Sequence, residues 1–438
     1  MRSILLSITA LFFGLALLLM GNSLLSTLLV IRGVSEGFSE QFLGLLSSSY
    51  YLGALLGTWF AGRMIRQMGH IRCFTFCAAL LSCGTVLYVL LLSPVAWMII
   101  RLLTGFGVFV LFTVIESWLN GQTPDEYRSR IFSLYMVVQM LAAAAAQQFL
   151  HLDSADAFTL FAIAAVLASA AVMPVSWTRL QQPNVALDMP KMDLPRLIES
   201  APVAVTAVVI SGLTLGPFWG LSPLFAASLG YSESQVAIFI SLAVLGGAAI
   251  QYPVGRLSDL IDRRLVILGV LAATSLISLA LVAVAYLLPS HLWLVVILAM
   301  LFVGLALAVY PIGVAHLVDH IHKDHLVAGS SGLLLLYGLG SFIGPALAGV
   351  GLQQLGGQSL PGFFALVTLL ALLVVAWQLR QSRVVEKPTD YEGHFVAMVR
   401  TGPNVLPLHP DSEEEIEPPE ERRHEPRPDA PDDATPID

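Results

Sequence analysis

The chain is dominated by twelve long apolar stretches, which lie between residues 4 and 379. Hydrophobic side chains make up 56% of the sequence and charged ones only 12%, so lipid rather than a soluble core must cover this surface. Backbone N–H and C=O groups in hydrocarbon must be hydrogen-bonded within the protein, and stretches of about 20 residues cross a bilayer as helices. The sequence therefore predicts an all-α membrane protein with twelve transmembrane helices.

The second half of the sequence repeats the first at a nearly constant offset. Tyr231-Ser232-Glu233 follows Phe38-Ser39-Glu40 by 193 positions, and Trp293 follows Trp97 by 196. Repeated halves are typical of secondary transporters, whose binding site lies where the halves meet. We therefore expect two pseudo-symmetric six-helix bundles.

This repeat sets the expected domain boundaries. Residues 1–178 form the N-terminal bundle, residues 179–200 a central cytoplasmic linker, and residues 201–380 the C-terminal bundle. Residues 381–438 form an acidic, proline-rich cytoplasmic tail, in which residues 386–438 hold 15 acids against 5 bases. A segment with so few large apolar residues cannot form a core, so we expect disorder. Both a solvated appendage and a docking segment fit this composition.

The basic residues predict the orientation, because Lys and Arg gather in cytoplasmic loops. Among the connections that follow odd-numbered stretches, only the first carries a basic residue, Arg32. The basic residues of the even-numbered connections are Arg63, Arg66, Arg72, Arg128, Arg130, Arg179, Lys191, Arg196, Arg256, Arg263, Arg264 and Lys323. Both termini are therefore expected in the cytoplasm.

Two ionisable residues are expected inside the fourth stretch. Arg101 lies about six residues, or roughly 9 Å, from its start. A charge at that depth is costly unless it meets water, a partner or a substrate, so Arg101 is a candidate for substrate binding or coupling, with a structural role as the alternative. Glu116 lies roughly 22 Å further along, too far to pair with Arg101. A gating salt bridge and proton carriage are both open for Glu116.

The first and seventh stretches each contain a group of small and helix-breaking residues, at positions 21–27 and 216–223. Paired interruptions in the two halves of a transporter point toward its binding cavity. The polar or amphipathic side chains expected around that cavity are Asn22, Gln139, Trp219, Gln251, Tyr310 and Tyr337. Taken alone, each of these side chains is explained by a hydrogen bond to a neighbouring helix. Together they indicate a site for a small, partly apolar molecule.

The loops after the second and eighth stretches resemble a motif of the major facilitator superfamily, Gly-x-x-x-Asp-Arg-x-Gly-Arg-Arg. Gly255, Asp259, Arg263 and Arg264 match it, whereas the first copy has Arg66 at the position of the acid. The resemblance implies a latch of carboxylates and arginines at the cytoplasmic helix ends. Its expected members are Arg66, Arg72, Arg128, Arg130, Asp259, Arg263, Arg264 and Asp319.

Arg101-Leu102-Leu103-Thr104-Gly105-Phe106-Gly107 resembles the superfamily's Arg-x-x-x-Gly-x-Gly segment, whose arginine is associated with coupling or substrate binding. More narrowly, Ser47 to Tyr50, Val114 to Ser117, Gly255 to Asp259 and Gly340-Ser341 resemble the YcaD-like branch of bacterial major facilitator proteins. The resemblance covers about residues 5–380. It implies twelve helices in two bundles and a location in the bacterial inner membrane.

These features favour a secondary active transporter that moves a small organic solute by alternating access, with proton coupling. The sequence has no phosphate-binding Gly-x-x-x-x-Gly-Lys-Ser/Thr loop, so the driving force must be a gradient, and uniport or exchange stays open. The alternative is a membrane sensor or scaffold that signals through its acidic tail, because a fold does not determine a function.

The expected partners are a small-molecule substrate, membrane lipid and protons, but not nucleic acid, and a monomer is expected. We expect no enzymatic activity, no cofactor and no metal. His316 and His320 have helical i, i+4 spacing, but no further ligand spacing supports a metal site.

Overall fold

The computed structural model describes residues 2–123, 127–177, 194–320 and 326–381, and within these ranges the regular structure is entirely helical. The tail beyond residue 381, most of the linker and the loop residues 321–325 lie outside the described residues. The helices are α1 Arg2–Ser35, α2 Glu40–Met68, α3 His70–Leu90, α4 Pro94–Gln122, α5 Arg128–Gln147, α6 Phe158–Ala170, α7 Val172–Trp177, α8 Leu194–Ser200, α9 Pro202–Ser228, α10 Glu233–Leu260, α11 Arg263–Leu287, α12 Leu292–Val318, α13 Leu326–Leu355 and α14 Leu360–Gln381.

Eleven helical segments in the described part of the chain are long and apolar enough to cross a membrane. One of these combines α6 and α7 as Phe158–Trp177, and the short α8 is not among them. The remaining long helix, α2, has 29 residues but is less apolar because Ser47 to Tyr51 interrupt its hydrophobic sequence. The all-α membrane fold is thus confirmed, and the twelfth span is supported by length alone.

The internal repeat of the sequence is visible in how α2 and α10 begin. Ser39 caps α2 by accepting a hydrogen bond from the backbone N–H of Phe42 at 3.2 Å. Ser232, 193 positions later, caps α10 and forms a reciprocal capping box with Gln235. Such caps satisfy backbone donors that the first helical turn leaves unpaired. The offset between the two helix starts is therefore the offset found in the sequence.

The two halves pack their helices in the same pairs. In the first half α2 packs on α4, α3 on α4 and α6, and α1 on α5 and α6. In the second half α10 packs on α12, α11 on α12 and α14, and α9 on α13 and α14. Each of these helix pairs in one half has its counterpart in the other. The two pseudo-symmetric six-helix bundles predicted from the repeat are therefore confirmed.

Glycines bring α2 and α4 into close contact. A Cβ at Gly53 would collide with the carbonyl of Leu102, and one at Gly105 would collide with the carbonyl of Tyr50. Small residues at a helix crossing let the backbones approach and gain van der Waals contact, which drives helix association in lipid. Arg101 lies one turn before Gly105 on α4, so this close crossing places it beside Tyr50.

The helix interruptions expected near residues 21 and 216 are wrong, because α1 and α9 are continuous. Pro217 and Pro223 lie inside α9. Hydroxyl groups instead bond back to carbonyls of the preceding turn: Ser26 donates to the Asn22 carbonyl at 2.9 Å, and Ser222 donates to the Phe218 carbonyl. Unsatisfied backbone groups cost several kcal/mol in hydrocarbon, so a continuous helix is favoured over a broken one.

Candidate functional site

A central cavity lies where the two bundles meet. Its empty volume is about 840 Å³, part of which is open to solvent. The first bundle contributes residues of α1, α2, α4 and α5 to its wall, and the second contributes residues of α9 and α10. Polar and aromatic side chains from both bundles converge on this space, as is typical of small-molecule sites. The cavity is therefore the candidate binding site.

Arg101 lies in the wall of this cavity and is 5% exposed. Its Nη2 donates to the hydroxyl of Ser26 on α1 at 3.0 Å, and its guanidinium lies over the Tyr50 ring, 4.3 Å from the ring centroid. The cation is thus held between two neutral groups from two helices. A cation placed over an aromatic face is attracted by the negative face of the ring.

Three of the other predicted cavity residues also line the cavity: Asn22, Gln139 and Trp219. The side-chain amide of Asn22 donates to the Tyr50 hydroxyl at 3.3 Å, which ties α1 to α2. Gln139 is buried on α5, and its amide contacts the sulfur of Met136 at 3.9 Å. The first bundle therefore supplies most of the polar groups, and Trp219 adds an aromatic surface from the second.

The structure places Gln251, Tyr310 and Tyr337 away from the described cavity wall. Gln251 on α10 donates to the carbonyl of Leu307 on α12 at 3.1 Å, which is a contact within the second bundle. Tyr310 and Tyr337 face each other edge to face, with ring centroids 5.1 Å apart. These three side chains join helices within the second bundle.

Glu116 also lies outside the cavity wall and is 1% exposed. The Tyr135 hydroxyl on α5 donates to its Oε1 at 3.0 Å. Arg72 and Arg130, two of its predicted partners, have exposed side chains, and the side chain of Arg128 lies outside the described part of the structure. A role for Glu116 in gating or proton transfer stays a prediction.

The sequence reasoning missed several cavity residues, above all Tyr50, Tyr51 and Gln147. Tyr50 contacts both Arg101 and Asn22, and Gln147 accepts a hydrogen bond from Thr27 at 2.9 Å. A signal was present in the sequence, since two adjacent tyrosines inside a membrane helix are polar groups that need partners. The choice of partners, however, depends on how the helices are rotated about their axes.

A cluster of contacts joins the two bundles at one end of the cavity, and we call it the seam. It lies at the end of the molecule where α2 and α10 begin. Glu233 of α10 accepts from the backbone N–H of Ala155 at 3.0 Å, and the Gln148 amide donates to Ser241 at 2.8 Å. Further contacts join His151 to Ser234, Ser47 to the carbonyl of Gly220, and the N–H of Gln41 to Gln353.

The seam follows the same pseudo-symmetry as the bundles. Glu40 of α2 lies against the backbone of Gly357, which follows α13 in the second bundle. Glu233, its counterpart on α10, binds Ala155 in the loop that follows α5 in the first bundle. Each bundle therefore reaches across to the other with an equivalent glutamate, and the two contacts hold the same end together.

The predicted latch residues of the second bundle meet at the opposite end. Arg263 pairs with Asp319 at 3.1 Å and with Asp259 at 3.4 Å, so it joins the start of α11 to the ends of α10 and α12. Arg264 pairs with Asp262 at 3.2 Å. Partial burial alone would raise the pKa of Asp262, but the hydrogen bonds from Arg264 outweigh it and hold that pKa below its usual value.

Comparisons with known proteins follow the same division into halves. A family model described as Major Facilitator Superfamily matches residues 11–202 and 204–413. The chain is 27% identical over 380 residues to an "Uncharacterized MFS-type transporter YcaD" of Escherichia fergusonii, an alignment that covers 86% of this chain and 96% of that relative. A second uncharacterized MFS-type transporter, from Enterobacter sp. (strain 638), is 28% identical over 364 residues, with 83% and 93% covered.

Solved structures show the same fold at low sequence identity. The nucleoside transporter NupG superposes with a TM-score of 0.70 at 15% identity, covering 87% of this chain and 100% of that one. A bacterial homolog of the human lysosomal transporter Spinster, in an inward-facing and unoccupied conformation, gives a TM-score of 0.61 at 14% identity, covering 85% and 94%.

The bacterial relatives and the many apolar helices together imply a multi-pass inner-membrane protein. The similarity to YcaD-like proteins that the motifs predicted is confirmed over most of the chain. On the family match to both halves, this chain belongs to the Major Facilitator Superfamily of membrane transporters.

Proposed function

We propose that the protein is a secondary active transporter that moves a small organic solute across the bacterial inner membrane by alternating access. The observation that carries this proposal is the central cavity, which both bundles line and at one end of which the seam joins them. Two bundles that rock about such a cavity open it to each side of the membrane in turn. Family membership supports transport over the sensor or scaffold alternative.

The basic loops support an orientation with both termini in the cytoplasm. In this orientation the seam lies on the periplasmic side, and the state described here is closed to the periplasm. The proposed domain division is unchanged: bundles at residues 1–178 and 201–380, a linker at 179–200 and a cytoplasmic tail at 381–438.

Arg101, Asn22, Gln139 and Trp219 are the proposed substrate-binding residues, because all four line the cavity. Gln251, Tyr310 and Tyr337 have a different proposed role, in holding the second bundle together as its helices move. The arginine and carboxylate cluster around Arg263 is the proposed cytoplasmic latch of that bundle. In the first bundle, Arg66, Arg72, Arg128 and Arg130 are the proposed equivalents.

Protons are the proposed coupling ion, with Glu116 as the carrier. Glu116 is buried on α4 and bonded by Tyr135, so its protonation would remove a buried charge and change that contact. A cycle of protonation could in this way bias the bundles between states. Uniport and substrate exchange are the competing outcomes, and the assay below separates them.

The test uses purified full-length protein. A metabolite library is first screened for compounds that raise its thermal unfolding temperature, because a ligand of the folded state stabilises it. Radiolabelled hits are then measured for uptake into proteoliposomes, with and without an imposed pH gradient. Arg101→Ala should abolish uptake, whereas Arg380→Ala, an exposed arginine at the end of α14, should leave it unchanged.

Glu116→Gln should remove the effect of the pH gradient and keep counterflow exchange of labelled for unlabelled solute. A pH gradient without effect on the unmodified protein would instead indicate uniport or exchange. Uptake into proteoliposomes of the unmodified protein that is no greater than in protein-free liposomes would rule out the proposed transporter.

A further inference from the structure

The charge in the cavity wall has only one sign. Among the described residues that line the cavity, Arg101 is the one ionisable side chain with a permanent charge, and neither Asp nor Glu is present. The other polar groups of the wall are hydroxyls and amides, which are neutral. A substrate that enters this cavity therefore meets a single, fixed positive charge.

Within the part of the chain that the structure describes, no carboxylate pairs with that positive charge. The groups beside the guanidinium are the Ser26 hydroxyl, the Tyr50 ring and Tyr88, all neutral. Within the described residues, no acceptor lies in hydrogen-bonding range of its buried Nη1 atom. Glu116 is fifteen residues away on the same helix, roughly 22 Å, which is too far to compensate the charge. A buried cation without a partner carries a large desolvation cost, and an anion that binds beside it recovers part of that cost.

A second polar group and several aromatic rings of the cavity wall indicate the chemistry of the rest of the ligand. The Oδ1 atom of Asn22 is buried and has no hydrogen-bond partner in the described part of the chain, while its amide nitrogen contacts Tyr50. The aromatic side chains Tyr51, Phe112, Phe218 and Trp219 form much of the remaining wall. Flat aromatic surfaces bind apolar, planar bodies, and isolated polar groups fix their orientation.

We infer that the substrate is a small organic anion with an apolar, planar body, whose acidic group binds Arg101 and whose body lies among the aromatic rings of both bundles. This inference rests on the proposed transport function and specifies its substrate class. A guanidinium can donate two parallel hydrogen bonds to a carboxylate, which suits this acid well. The free Oδ1 of Asn22 is an acceptor, so it would bind a donor group on the body of the ligand and not its carboxylate.

The test compares ligands that differ only in charge. The probes are three aromatic acids, benzoate, cinnamate and indole-3-acetate, together with the amide and the amine of each. Binding to the purified full chain is measured by the shift in unfolding temperature and by isothermal titration calorimetry. At least one acid should bind with at least tenfold higher affinity than its own amide and amine. Acetate, which has the charge but no aromatic body, should bind more weakly than that acid.

Variants locate the charge that recognises the acid. Arg101→Gln should lower the affinity for the acid at least tenfold and bring it close to that of the amide. Arg101→Lys keeps the charge without the two parallel donors, so its affinity for the acid should lie between those of the unmodified protein and Arg101→Gln. The comparison of acid, amide and amine on the unmodified protein needs no variant, so the inference stays testable even if Arg101→Gln does not fold.

Two outcomes would overturn the inference: an amine or amide that binds as tightly as its acid, or the absence of binding by all three acids. Its failure is distinguishable from failure of the proposed function. If neutral or cationic compounds bind and cross the membrane, the protein is a transporter with another substrate class. If acids bind at Arg101 but no solute crosses proteoliposome membranes, the site is an anion site and the transport proposal is wrong.

Discussion

At the scale of single residues, the ionisable side chains divide by their depth in the molecule. Arg101 and Glu116 lie inside α4 and are almost fully buried, so each depends on a few neighbouring groups, among them Ser26 and Tyr135. Asp262 lies at the membrane edge, where it caps α11 and pairs with Arg264 while partly exposed. A half-exposed pair of this kind contributes little to stability, because water and salt screen it.

The lowered pKa of Asp262 predicts a small, pH-dependent contribution to stability. A carboxylate whose folded pKa lies below its unfolded value stabilises the protein above the unfolded pKa, and this contribution is lost as the pH falls through the folded value. Asp262→Asn keeps a good capping group and removes only the charge. We expect the variant to be less stable by at most about 1 kcal/mol at pH 6, and the difference to shrink as the pH falls below about 4 toward the folded pKa.

Thermal unfolding of the purified protein in detergent, from pH 6 to pH 3, measures this difference. The control is Glu199→Gln, an exposed acid on α8 that forms no ion pair within the described residues. A difference between Asp262→Asn and the unmodified protein that grows as the pH falls would contradict the assigned direction of the shift.

At the scale of helices, close crossings at glycine decide which side chains meet. The crossing of α2 and α4 at Gly53 and Gly105 brings Tyr50 under Arg101. On α10 and α12, Gly247 and Gly304 form the equivalent crossing. The site therefore depends on small residues that contribute no chemistry of their own.

Gly53→Ala tests this dependence. The added methyl group would meet backbone atoms of α4, which cannot move aside as a flexible side chain can, so we expect a loss of about 1 to 3 kcal/mol. Gly269→Ala on α11 is the matched control, because nothing lies within 4 Å of the added methyl group. In this control, alanine's better helix propensity should leave stability unchanged or raised by up to about 1 kcal/mol. Equal unfolding temperatures for the two variants would argue against a tight α2–α4 crossing.

At the scale of the whole molecule, the seam holds the two bundles together on one side of the cavity. In the seam, Gln148 and Ser47 donate single hydrogen bonds to the other bundle, Glu233 accepts one from Ala155, and Glu40 approaches Gly357. Such bonds contribute about 1 kcal/mol each, more where one partner is charged. Under the proposed alternating access, hydrogen bonds of this strength would let the seam separate without unfolding either bundle.

Weakening both glutamate contacts should shift the protein toward the state that is open at the seam. The labelling background replaces the three cysteines, Cys73, Cys77 and Cys83, and changes Ser23 in the cavity wall to Cys. The test variant adds Glu40→Gln and Glu233→Gln to this background. We expect a membrane-impermeant maleimide, added to the periplasmic side, to label that cysteine severalfold faster. Glu36→Gln is the control, because Glu36 pairs with Arg32 inside the first bundle. Labelling that is equally slow in the background protein, the double glutamate variant and the Glu36→Gln control would exclude the seam as a gate.

The amount that could be predicted differs between fold and site. The all-α membrane fold, the repeat and the family followed from residue type and spacing, because lipid permits few ways to satisfy a backbone. Of the eight predicted substrate or coupling residues, Arg101, Asn22, Gln139 and Trp219 line the cavity, but Gln251, Tyr310, Tyr337 and Glu116 do not. Polarity inside a helix shows that a side chain needs a partner, and the partner can equally be a ligand or another helix.

The sequence by itself determined that this chain crosses the membrane as two related groups of helices with one arginine deep in the fourth stretch, since hydropathy and an offset of 193 positions do not depend on packing. Only the tertiary structure decided that Tyr50 lies under that arginine, that the described wall around it contains no acid, and that Glu40 and Glu233 reach across to the opposite bundle. These facts depend on how far each helix is rotated about its axis and on how closely glycines let neighbours approach, and both are set by packing among the helices of both bundles.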